Sequence, residues 1–70
     1  MDAVTVTFSP GYAGGRGFSL EYSGPASRMS GPLSLAGVVA ELRAAGLTDG
    51  DALRRLVLRA VADGDATHSF

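Results

Sequence analysis

Cysteine and lysine are both absent from this chain of 70 residues, and histidine occurs once, at position 68. Each gap removes a class of chemistry. Without cysteine no disulfide can staple the fold. Without lysine there is no side-chain amine for a Schiff base and no Lys-Ser or Lys-Thr pair to follow a phosphate-binding glycine loop. One histidine cannot form a cluster of metal ligands. His68 also stands two residues from the last position, where nothing is expected to orient it as a catalytic base. Excess positive charge is missing too: six arginines face seven acids, for a net charge of −1. That is far from the basic footprint of a typical nucleic-acid binder. No apolar run approaches the roughly 20 residues that a membrane-spanning helix needs. The opening "MDAVTVTF" has neither the basic start nor the apolar stretch of a secretion signal, so the expected compartment is the cytoplasm.

What is present suits one small domain covering residues 1–70. Apolar residues make up 46% of the chain, but ten glycines and three prolines add little area to a core. At about 1.5 kcal/mol of ordering entropy per residue, the stability of so short a chain is close to balance. Oligomerisation, or docking on a larger partner, is the expected stabiliser.

Two stretches alternate with period two. In "AVTVTF", Val4, Val6 and Phe8 point one way and Thr5 and Thr7 the other; in "FSLEY", Phe18, Leu20 and Tyr22 oppose Ser19 and Glu21. Both predict half-buried strands, over about 3–8 and 18–22. The glycine-rich "SPGYAGGRGF" between them reads as a hairpin connection, and "SGPASRMSGP" as an irregular linker. The period then becomes helical. Leu35, Val38, Val39, Leu42 and Ala45 make one apolar stripe, and Leu53, Leu56, Val57, Ala60 and Val61 make another. Helices are expected over about 33–45 and 49–63, separated by a Gly46 stop with Leu47 folding back and a Thr48 cap. Residues 64–70 read as a loose tail. The expected fold is therefore α+β, a β-hairpin followed by a helical hairpin (β-β-α-α).

The motifs that carry chemistry in other proteins are incomplete here. "GYAGGRG" follows a strand, but "FSLEY" follows it, whereas phosphate loops deliver the ligand to a helix N-terminus. A single arginine in that loop is too few for an arginine-glycine nucleic-acid arm. "DGDA" occurs twice, at Asp49 and at Asp63, without the remaining ligands of a calcium loop. No catalytic residue, cofactor site or metal site is expected. The residues that suit partner contact are Tyr12 and Arg16 in the glycine loop, and Arg54, Arg55, Leu58 and Arg59 on the outward side of the last helix. An Asp51–Arg55 pair at helical spacing is the alternative use of that last arginine cluster.

"ELRAAGLTDGDALRRLVLRAV", Glu41 to Val61, resembles the helix-turn-helix portion of ribbon-helix-helix DNA-binding proteins. There a "GLS" or "GLT" turn caps a second helix that carries an "LRR" run. The resemblance covers about a third of the chain. It implies a dimer in which "FSLEY" pairs with its copy, Ser19 and Glu21 face the major groove, and the Thr48 turn approaches phosphates.

Two functions are thus expected. The first is a non-enzymatic protein-interaction module: a homodimer, or an adaptor or inhibitor docked on a larger assembly. Phage-type inhibitors of bacterial defence systems and docking domains of multi-enzyme assemblies are of this size. Its physical motive is the hairpin, whose two outer edges need backbone partners. The second is a dimeric DNA-binding repressor or antitoxin.

Overall fold

The structure, a computed structural model, describes residues 2–11, 15–25 and 27–70. Strands β1 (Ala3–Phe8), β2 (Phe18–Ser23) and β3 (Arg28–Leu33) come first. Helices α1 (Leu35–Ala44) and α2 (Gly50–Asp63) follow, and the chain returns to the sheet as β4 (Asp65–Ser69). The four strands are antiparallel in the order β3-β2-β1-β4. Both helices lie on one face of the sheet, α1 over β2 and β3 and α2 over β1 and β4.

The alternating stretches form strands as their pattern predicts. Val4, Val6, Phe18, Leu20 and Tyr22 are buried beneath the helices, and Phe8 and Phe18 meet with ring centroids 4.8 Å apart. From α1 come Val38 and Leu42, from α2 Leu53, Leu56, Val57 and Ala60, and Leu47 closes the core between them. The other sheet face carries no helix. It presents Ala3, Thr5, Thr7, Ser19, Glu21 and Ser23, which alternate with the buried set.

Two expectations are corrected. The β-β-α-α order lacks two strands: the "SGPASRMSGP" linker contains β3, and the supposed tail is β4. Each is an edge strand with a single neighbour, so neither needs a strong apolar alternation. In β4 only Ala66 is buried; in β3 no residue is, and Met29 is 73% exposed. The hairpin's edges are consequently filled from within the chain, β2 by β3 and β1 by β4. Gly31 lets β3 lie close: it has φ +148°, and a Cβ there would stand 2.9 Å from the Ser19 Cβ.

The helix ends differ in detail. Ser34 caps α1, its hydroxyl accepting the Gly37 N–H at 3.3 Å. α1 stops in a Schellman motif, with Gly46 N–H donating to the Arg43 carbonyl and Leu47 N–H to the Leu42 carbonyl. Asp49, rather than Thr48, caps α2: its carboxylate accepts the Asp51 and Ala52 N–H groups at 3.0 and 3.4 Å. Leu35 and Val61, expected in the apolar stripes, are 52% and 46% exposed. Both lie on the flanks of their helices, because each helix packs on the sheet rather than deeply against the other.

Candidate functional site

The sheet leaves two outer edges, and their backbone groups follow from the register. Ser9 N–H donates to the Gly17 carbonyl, Phe8 N–H to the Gly64 carbonyl and Phe70 N–H to the Asp2 carbonyl. Antiparallel ladders alternate, so in β4 the backbone groups of Ala66 and His68 face β1 across from Val6 and Val4. Those of Asp65, Thr67 and Ser69 therefore point away from the sheet. β4 is a regular strand without proline. The β3 edge is different. Its register slips between the Phe18–Leu33 and Leu20–Ser30 pairs, and Pro32 there has no N–H to offer, a combination that blunts an edge.

Beside the open β4 edge runs a groove of about 240 Å³, lined by Ala52, Arg55, Leu56 and Arg59 of α2 and by Thr67 and His68 of β4. At 100° per residue, Arg55 and Arg59 sit on the flank of α2 that faces β4, and both are exposed. Among the described residues the one ion pair is Arg28–Glu41 at 3.4 Å; the Asp51–Arg55 pair is not made. Two guanidinium groups one helical turn apart thus line the groove without a bound carboxylate. His68 points to the helix side, with its ring edge-on to Phe70 at 5.0 Å between centroids. Far from being unsupported, it is held in a strand opposite Val4.

The sequence-derived contact residues fall in separate places. Arg54 and Leu58 lie on the other flank of α2 and do not line this groove; Leu58 is 56% exposed. Arg16 is exposed and lines a different depression of about 290 Å³, with Ser9, Ser19, Met29 and Pro32. Tyr12 lies outside the described residues. The edge of β4 was missed by sequence reading. Its signal was Gly64, a left-handed helix stop (φ +96°) followed by the short alternation of Ala66 and His68.

Thr67 and His68 are sequence neighbours on a strand and so face opposite ways. The Thr67 Oγ1 lies 2.9 Å from the Thr5 Oγ1 on the open face. Among the described residues no group of three or more His, Cys, Asp or Glu side chains could hold a metal ion, and no helix is long and apolar enough to cross a membrane.

The remaining polar cluster supports the fold. Tyr22 is 1% exposed, the Arg28 guanidinium lies 4.9 Å from its ring centroid, and Glu41 holds Arg28 from α1. The ribbon arrangement loses its strand, because β2 is paired on both sides within the chain. No protein-family model, curated protein or solved structure matches this chain.

Proposed function

We propose that the protein is a non-enzymatic protein-interaction module that docks a strand of another protein along the outer edge of β4. The observation that carries this reading is the row of outward backbone groups at Asp65, Thr67 and Ser69. An extended segment laid beside that row gains main-chain hydrogen bonds, the source of affinity in strand-addition complexes. The groove between α2 and β4 supplies side-chain contacts on the helix face of such a strand. The blunted β3 edge offers no equivalent row, which gives the interaction a side.

Thr67→Pro tests this. It removes an N–H that points away from the sheet, and edge strands tolerate proline at such positions. Partners captured from host-cell extract by the wild-type protein are expected to be lost with a folded Thr67→Pro variant, as judged by its circular dichroism. Undiminished capture by that variant would overturn docking at β4.

A further inference from the structure

We propose that the strand received by β4 is acidic, with carboxylates at two alternate positions facing Arg55 and Arg59. This rests on the docking reading above and adds the chemistry of the partner. A strand added to β4 continues the pleat. Its residues level with Ala66 and His68 share their face of the sheet, the face that carries α2. These side chains enter the space beside the groove that Arg55 and Arg59 line.

The spacings agree. Alternate residues of a strand are about 6.6 Å apart, and one residue and its fourth neighbour on a helix are separated by about 6 Å of rise. Two carboxylates in an acid-x-acid pattern thus match two guanidinium groups one turn apart, and each guanidinium can receive a carboxylate in bidentate fashion.

A second copy of this chain is a poor occupant. Antiparallel pairing of β4 with its own copy around Thr67 would set the two α2 helices side by side. Arg55 and Arg59 of both copies would then converge, and like charges brought together at an interface oppose association. Duplex nucleic acid is disfavoured because two arginines on a chain of net charge −1 neutralise too few phosphates for counterion release to drive binding.

The test uses the whole protein and a nine-residue peptide of alternating threonine and glutamate. Two companions replace every glutamate by lysine or by glutamine. Binding is followed by NMR at the Asp65, Thr67 and Ser69 amides. The glutamate peptide is expected to shift these three amides and to bind at least about tenfold more tightly than the lysine peptide at low salt. The preference should shrink as salt is added. Arg55→Glu with Arg59→Glu should reverse it, and Arg55→Gln with Arg59→Gln should abolish it; both pairs of sites are exposed, and circular dichroism verifies the fold.

If all three peptides engage the edge equally, docking at β4 stands and the acidic partner is overturned. If none of them moves the edge amides, docking itself falls. Random-sequence duplex DNA that outcompetes the glutamate peptide at low salt also overturns the acidic strand, in favour of phosphate binding by the same arginines.

Discussion

Tyr22 shows how much one side chain settles in so small a core. Its ring is buried under α1, and its hydroxyl lies 3.5 Å from the Glu41 carbonyl, at the limit of a useful hydrogen bond. Tyr22→Phe is therefore expected to cost less than about 1 kcal/mol at neutral pH, measured by urea unfolding. Burial, and then the Glu41 carboxylate, hold the Tyr22 pKa above its ordinary value. The unfolded chain gives up that proton first. The stability contributed by the protonated phenol is thus complete below about pH 10 and is lost as pH rises through the higher folded-state value. An alkaline fall in stability that is shallower in Tyr22→Phe than in the wild type is the expected result; equal slopes would show that other groups cause it. Two glycines give a second contrast. Gly46 has φ +112° with open space around it, whereas Gly31 has φ +148° and Ser19 pressed against it. Gly46→Ala should cost about 1 kcal/mol from backbone strain alone, and Gly31→Ala about 2 to 3 kcal/mol because strain and collision add. Matching losses in denaturant titrations would contradict the packing of β3 on β2.

At the scale of elements, what was legible in the chain is what carries its own periodicity. β1, β2 and the buried faces of both helices announce themselves because each buries several side chains at a regular interval. β3 and β4 do not, since an edge strand is held largely by backbone bonds to one neighbour, and backbone bonds leave no trace in residue type. The same reason hid the candidate site: its row of outward amides depends on register, while Arg55 and Arg59 were visible but were grouped with Arg54 and Leu58, which the helix turns to its other flank. The α2 cap was misplaced by one residue because Thr48 and Asp49 are both capable caps and only the turn geometry chooses between them. Asp49→Ala is accordingly expected to cost about 1 kcal/mol and Thr48→Ala only a few tenths. β4 provides the sharper test. Removing residues 65–70 takes away the buried Ala66 and bares the full edge of β1, with the loss of several backbone bonds worth roughly 1 kcal/mol each. Small domains have only about 5 to 15 kcal/mol in hand. The truncated chain should lose most of its cooperative unfolding transition, whereas a loose tail would be removed without effect.

For the molecule as a whole, the first and last strands are neighbours, so the fold closes on itself around β1. The open hairpin that would have demanded a second copy does not exist. What remains open is one regular edge, and its surroundings decide who can use it. Charge repulsion at that edge makes the direction of salt dependence diagnostic. With Arg55 and Arg59 of two copies facing each other, self-association is held back at ordinary ionic strength, and the mass in solution should stay at 7.1 kDa from micromolar to millimolar protein. At 1 M salt the screening length falls to about 3 Å, the repulsion is largely removed, and a β4–β4 dimer becomes accessible, with Thr67→Pro suppressing it. Binding of an acidic strand runs the other way and weakens with the same salt. Sedimentation across a dilution series in both buffers reads the first trend, and the peptide titration reads the second. A dimer that is tightest in low salt would mean that the arginines meet carboxylates across the two-fold. The partner of this edge would then be the protein itself.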